Sequence, residues 1–335
     1  MDASQPPTRM RILIIRLGSA SDIMLTTPII RAINQQIEGA EIHFLVNKNN
    51  RELLASNPRI AKIHEYQETE KVLIDELKAE HFDFIVDLQH NRRTKHLCNK
   101  LGIPCSFFQT HSIKRWISVR LKINTLPRRH LVERYFETVK AIGVQNDHQG
   151  LEYPIPKEEK FDTDNLPVFF EDGYVAVVLD AERATQRIPT NKIVEITTIL
   201  HKPVILIGGK EVRHIGQEIV SQLGDRAHNT CGELSFNQSA SLIQQSACVL
   251  TGDSVFMHVA SALNKPVCSL WGSTVPEFGK YPYLPEQRNL FRIFEICSLK
   301  CRPCAQLGFK KCPRRHFRCM NNIPTIEVAD WLNQY

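Results

Sequence analysis

The sequence predicts an α/β protein built as two doubly wound domains that face a central cleft, with ligands at the carboxyl ends of the strands. Three observations carry this expectation. Seven short apolar runs recur along the chain, most of them ending in Gly or Asp. Segments with helical periodicity lie between them, so the strands alternate with crossovers and form parallel sheets. The alternation stops once, at residues 143–172, where Pro154, Pro156 and Pro167 and many acids replace any sustained period.

The elements follow in order. "MRILIIR" (10–16) is a buried strand, followed by a helix over 23–36. A strand over 41–46, a helix over 51–57 and an amphipathic helix over 70–80 precede "FDFIVDLQ" (82–89), another strand. A helix over 130–142 closes the first half. The second half repeats the plan with "YVAVVLD" (174–180), "PVILIGG" (203–209), "ACVLTGD" (247–253) and "PVCSLWG" (266–272). Helices are expected over 191–201, 211–223, 235–246 and 254–263, and a last one starts at Thr325. These limits give a disordered lead-in at 1–9, an N-terminal domain at 10–155 and a linker at 156–172. A C-terminal domain follows at 173–320, and a closing helix at 321–335.

The chain is 42% hydrophobic and 23% charged, a globular balance, and its apolar runs are far too short for a membrane span. The first nine residues lack the apolar region of a signal peptide, which favours a cytoplasmic location and reduced thiols for the ten cysteines. The net charge of +6 is uneven: residues 111–134 hold seven Lys/Arg against one acid. Lys114, Arg115, Arg120, Arg128 and Arg129 alternate there with Trp116, Ile117, Val119, Leu121 and Ile123. Such a segment suits an anionic partner, a lipid headgroup or a phosphorylated substrate; a solvated helix with a core-facing stripe has the same pattern.

Candidate chemistry lies at the strand ends. "VLTGDSVFMHVASALNKPV" (249–267) reads as strand, turn, helix and strand, with Ser254 as N-cap. Unpaired N–H groups and the helix dipole favour an anion at such a turn, and His258 is placed to add a donor. The plainer alternative is a capped helix with a packing histidine. In "RLGSASDIMLTTP" (16–28), Asp22 is either a helix-start residue or a carboxylate poised as general base. "DAERATQRIP" (180–189), "IGGKE" (207–211) and "CGELS" (231–235) follow other strands.

Taken in order, D-I-x-x-T-x-P, A-T-x-R-x-P, G-G-x-E, C-G-x-L-S, D-S-x-x-M-H and W-G-x-T-x-P resemble the motifs of the ADP-heptose:lipopolysaccharide heptosyltransferases, glycosyltransferase family nine, over residues 10–335. The resemblance implies a GT-B fold of two Rossmann-like domains and an inverting, metal-independent transfer. A heptose-like sugar would pass from a nucleotide diphosphate, ADP-heptose by resemblance, to a lipopolysaccharide core or related glycolipid. It assigns Asp22 as general base. It assigns Thr185, Gln186, Asp253, Ser254 and His258 to the donor phosphates, Glu211 to the nucleoside and Leu234 to the adenine. It implies an anionic glycolipid acceptor, a peripheral position on the cytoplasmic face of the inner membrane, and no nucleic acid.

The sequence departs from the family pattern at four places. Ser21 replaces a Gly before the base, and Val255-Phe256 replace an open Gly-containing pair after Asp253-Ser254. Gln186 stands where the family has a phosphate-binding Lys, and Asp180-Ala181 occupy a turn that usually ends in Gly. Arg183, Arg187 and Lys210 are candidate compensating cations. The alternative functional readings are a catalytically weak or inactive homologue that binds its ligand, or a transferase using a different nucleotide-sugar donor. The tail at 297–320 carries Cys301, Cys304, Cys312 and Cys319 in a C-x2-C-x7-C-x6-C spacing. This is a candidate structural zinc site, or else a loop of reduced thiols. No cofactor is expected for catalysis.

Overall fold

All seven expected runs form strands in the computed structural model, which describes residues 9–67 and 70–335. Two compact units result. One comprises residues up to Thr110 with Arg129–Pro154; the other comprises His111–Arg128 with Ile155–Tyr335.

The first unit holds β1 (Arg11–Ile15), β2 (Glu41–Asn47), β3 (Ile60–Tyr66), β4 (Phe84–Asp87) and β5 (Cys105–Phe107). They run parallel in the order β3-β2-β1-β4-β5. The second holds β6 (Val175–Val178), β7 (Val204–Ile207), β8 (Ala227–Asn229), β9 (Cys248–Thr251), β10 (Val267–Trp271) and β11 (Phe291–Glu295). These too are parallel, in the order β11-β10-β9-β6-β7-β8. Both orders are doubly wound. The winding reverses between β1 and β4 in one sheet and between β6 and β9 in the other, which are the places where such sheets open a crevice at their carboxyl ends.

The helix expected over 23–36 forms in two pieces, Ala20–Met24 and Thr27–Gln36. Pro28 has no N–H to continue the ladder, and the hydroxyls of Thr26 and Thr27 donate to the carbonyls of Ile23 and Met24. The second piece buries Ile29, Ile30 and Ile33 completely, about 1.5–3 kcal/mol apiece.

Three expected boundaries change. Residues 111–128 group with the second unit, where Val119 and Leu126 pack with Val275 and Phe278. The 156–172 stretch is held by its own polar groups: Glu159 accepts from Ser235 Oγ and Asn237 Nδ2, and Phe161 N donates to Ser241 Oγ. The closing helix, Thr325–Leu332, buries Val328, Ala329 and Leu332 in the core of the second unit. Lys192 Nζ bonds Thr325, and His201 N bonds Asn333, so this end of the chain is anchored in the second unit.

Candidate active site

In the first unit, the loop after β1 turns at the switch point and carries Arg16 and Asp22. Arg16 Nη2 meets Asp22 Oδ2 at 2.5 Å, and both side chains are at most 10% exposed. Ser19 adds its Oγ at 3.3 Å to the same oxygen, and Arg16 Nη1 donates to the carbonyl of Leu88. Thus the loops after β1 and β4, the two strands at the reversal, are joined through Arg16. Burial pulls the Arg16 guanidinium down, but Asp22 and Tyr135 more than reverse this and it ends above its ordinary value. Asp87, at the end of β4, accepts from the N–H groups of Gln89 and His90, and burial nevertheless raises its carboxyl. Asp22 is therefore a fixed carboxylate on a short helix. Arg16 is the partner of Asp22 that motif reading overlooked, although it opens the quoted loop.

The second unit brings its motifs together in the same topological place. Gln186, after β6, donates from Nε2 to Asp253 Oδ2, after β9, at 2.6 Å. Thr274 Oγ1, after β10, donates to the same oxygen at 2.9 Å. Gly252 is glycine because a Cβ there would meet the Gln186 carbonyl oxygen at 2.1 Å. The loops after β7 and β8 also join: Gly232 N donates to Gly208 O at 2.9 Å, and Gly232, at φ +74°, packs on Lys210. That pairing places exposed Glu211 and half-buried Leu234 at one end of the sheet. Asp180, two residues after β6, has its carboxyl raised by burial, and Arg187 lies 3.5 Å away.

Two details alter the expected phosphate seat. Ser254 Oγ accepts from Met257 N and so caps the helix Val255–Ala262, the plainer of its two readings. His258 is 0% exposed and lies inside the unit, the burial its plainer reading expected. Phe256 does not crowd an open turn: it is buried and stacks on Phe236 at 4.7 Å between centroids.

The cysteine tail clamps the A-T-Q-R loop. Thr185 N donates to Phe309 O, Phe309 N donates to Thr185 Oγ1 at 2.7 Å, and Ser273 Oγ lies 2.8 Å from Thr185 Oγ1. Arg302, with a side chain 3% exposed, reaches the carbonyls of Gly272, Ile296 and Thr274 and the carboxylate of Glu295. Cys301 Sγ is 3.9 Å from His316 Nε2, but among the described residues no three side chains of the tail bring ligand atoms within 4.8 Å of one another. Burial pushes the thiols of Cys304 and Cys319 up to about 11.

The basic segment forms a helix over Ser112–Leu121. Lys114, Arg120 and Arg128 are exposed and Arg115 is half-buried. Lys122, left-handed at the helix end, donates to the carbonyls of Cys301 and Pro303. Arg129 departs from the expected set: it belongs to the first unit and pairs with Glu137 at 3.4 Å.

Two Rossmann-like units, each with polar loops gathered at the reversal of its sheet, define the architecture of a GT-B nucleotide-sugar enzyme. The profile of glycosyltransferase family 9 (heptosyltransferase) matches residues 71–307, and the chain belongs to that family of glycosyltransferases. Lipooligosaccharide heptosyltransferase 2 of Haemophilus influenzae is 30% identical over 115 residues, which span 33% of each chain. Lipopolysaccharide heptosyltransferase 3 of Escherichia coli is 22% identical over 307 residues, 81% of this chain and 89% of that one. The structure of the E. coli ADP-heptose lipopolysaccharide heptosyltransferase II superposes with a TM-score of 0.73 at 20% identity, covering 97% of this chain and 98% of the other.

Proposed function

We propose that the protein transfers a heptose-like sugar, with inversion, from ADP-heptose to a lipopolysaccharide core or related glycolipid. The observation that supports this best is the convergence in the second unit. The motifs after β6 and β9 meet through Gln186 and Asp253 at the winding reversal, with Glu211 and Leu234 at the same end of the sheet. Glu211 would hold the nucleoside and Leu234 the base. Pyrophosphate would take the N–H groups of the Gly252–Ser254 turn.

In the reaction, an acceptor hydroxyl oxygen forms a bond to the anomeric carbon as the bond from that carbon to the diphosphate oxygen breaks. The hydroxyl proton passes to the Asp22 carboxylate, and ADP leaves with the bonding pair. Arg16 would hold Asp22 in place for the transfer, and no metal takes part. No helix among the described residues is long and apolar enough to cross a membrane. We place the enzyme on the cytoplasmic face of the inner membrane. There the helix Ser112–Leu121 would meet anionic glycolipid, since Ile113, Trp116 and Leu121 are exposed beside Lys114 and Arg120.

The test is incubation of the full chain with ADP-heptose and a heptose-deficient, lipid-linked core acceptor, with product read by mass spectrometry and its anomeric configuration by NMR. Acceptor-dependent ADP release with an inverted linkage is expected. Calorimetric binding of ADP without product would instead identify a binding homologue. Product formed only from another sugar nucleotide would reassign the donor.

A further inference from the structure

Away from the residues assigned to sugar transfer, in the β2–β3 half of the first unit, two buried histidines face each other. His43 on β2 and His64 on β3 are 2% and 1% exposed. In the parallel register His43 pairs with Lys62, so His64 lies two residues further on and shares the same face. His43 Nδ1 and His64 Nε2 are 2.9 Å apart. The outer nitrogens each face a carboxylate: His43 Nε2 lies 3.2 Å from Glu41 Oε1, and His64 Nδ1 lies 2.7 Å from Glu76 Oε1. Glu80 Oε2 stands 4.0 Å from His43 Nδ1, and the ring edge of Phe82 closes the apolar side of both imidazoles.

Counting protons shows what this arrangement lacks. An ionised carboxylate only accepts, so both outer nitrogens must be the N–H donors. Two neutral imidazoles carry one N–H each, and those two protons are then assigned. The inner nitrogens present lone pairs to each other across 2.9 Å. The gap calls for a cation, either a third proton or a metal ion. The charged neighbours are Glu41, Glu76 and Glu80 against Lys62, which pairs with Glu80, and Arg11, which pairs with Glu41 at 3.4 Å. Arg9 also reaches Glu41, at 3.8 Å, so three carboxylates are met by three cations and none of those cations lies between the two rings.

We infer that His43 Nδ1, His64 Nε2 and Glu80 Oε2 form a binding site for a divalent transition-metal ion, zinc by its preference for two imidazoles, one carboxylate and a water. The three ligand atoms already lie within 4.8 Å of one another. Tetrahedral coordination at about 2.0–2.1 Å separates two nitrogens by about 3.3 Å, so the imidazoles need part by only a few tenths of an ångström. Glu41 and Glu76 are the carboxylates that commonly stand behind metal-bound histidines, fixing the tautomer and raising ligand basicity. Bound metal would tie the edge strand β3 to β2 and to the end of the helix Glu70–Ala79.

The experiment is titration of Co²⁺ into the chelator-treated full chain at neutral pH, followed by visible absorption. One equivalent with ligand-field bands and no thiolate charge-transfer band is expected, which separates this site from the cysteine tail. His64→Gln should abolish that signal. Glu76→Gln, which alters only a half-buried carboxylate behind His64, should weaken it about ten- to a hundredfold with an unchanged circular-dichroism spectrum. Absence of the oxygen/nitrogen-type signal, or equal affinity in wild type and Glu76→Gln, would overturn the assignment. So would imidazole ¹⁵N shifts at neutral pH that show a shared proton and no response to Co²⁺ or Zn²⁺.

Discussion

Replacing Asp22 by Asn tests the assignment of the base and separates it from the structural work of the same side chain. Asn keeps the shape and one acceptor oxygen but cannot take a proton. Proton transfer to a positioned base is worth roughly a hundredfold to ten-thousandfold, so turnover should fall by on the order of a hundredfold or more, about 2.7 kcal/mol of barrier. The substitution also uncovers Arg16. The pair is 10% and 8% exposed, and removing one partner of a buried pair destabilises by about 3–5 kcal/mol in general. The effect here should be smaller, about 2 kcal/mol, because the asparagine amide can still accept from the guanidinium and Arg16 keeps its bond to the Leu88 carbonyl. Donor binding should be unchanged, because the residues proposed for the donor belong to the second unit. The assays are acceptor-dependent ADP release under conditions where circular dichroism shows both proteins folded, urea unfolding, and calorimetry with ADP. Turnover within a few fold of wild type would refute the role of Asp22. Loss of turnover and ADP binding together would mean that the substitution acts through the fold.

Four further outcomes are expected. Gln186→Lys should form an ion pair with Asp253 in place of the 2.6 Å amide bond and tighten ADP by about tenfold or more in calorimetry; unchanged or weaker binding would show that other cations already serve the phosphates. Lys114→Glu and Arg120→Glu should each weaken binding to anionic vesicles by about 2 kcal/mol, roughly thirtyfold, as raised salt also should; Trp116 fluorescence reads the docking, and indifference to both would leave only a solvated helix. Burial pushes the Asp147 carboxyl up, but the hydrogen bonds and charge of Arg31 outweigh it and hold the carboxyl below its ordinary value; its stabilisation is full above the unfolded value near about 4 and fades as pH falls through the lower folded value, so urea unfolding of Asp147→Asn between those limits should depend less on pH than wild type does. An alkylating reagent should modify Cys304 and Cys319 slowly at neutral pH, because burial pushes their thiols up to about 11; protection of all four tail cysteines that a chelator relieves would point to a closed metal site in the tail.

The strands that the sequence announces and those it conceals differ by position. β1, β2, β4, β6, β7, β9 and β10 are buried on both faces and read as continuous apolar runs. The strands that went unread, β3, β5, β8 and β11, are the four edges. "IAKIHEY" and "FRIFE" mix polar with apolar residues because one side of an edge strand needs no neighbour, and β5 and β8 are three residues long. The candidate site was legible where a motif follows a strand, as with the loops that carry Asp22 and Asp253. It was hidden where the partner comes from elsewhere in the chain. Nothing in "WGST" announces that Thr274 will bond Asp253, and nothing in "CRPC" announces that Arg302 will gather three carbonyls. Helical periodicity likewise placed Phe256 and His258 on a helix but could not say which face is enclosed.

The charge at the donor seat follows from these contacts. The Gln186 amide and the Thr274 hydroxyl donate to Asp253 without bringing a charge of their own to the turn that would receive a pyrophosphate. A lysine at 186 would bring one. Of the three candidate cations, Arg187 is partly committed to Asp180 at 3.5 Å, whereas Lys210 is exposed and Arg183 half-buried. Arg183 also lies in the clamped loop: its Cβ is 3.1 Å from where a Cβ on Gly308 would stand, and its N–H donates to Gln186 Oε1. The amide of Gln186 thus accepts from the Arg183 backbone while donating to Asp253, a double role that lysine, which has no acceptor, cannot fill. The departure at 186 therefore exchanges a mobile charge for a fixed bridge between two loops. The cysteine tail, holding Thr185 on the neighbouring residue, completes that fixation. A seat built this way favours order over charge, and under the proposed function Arg183 and Lys210 are candidates to meet the phosphates.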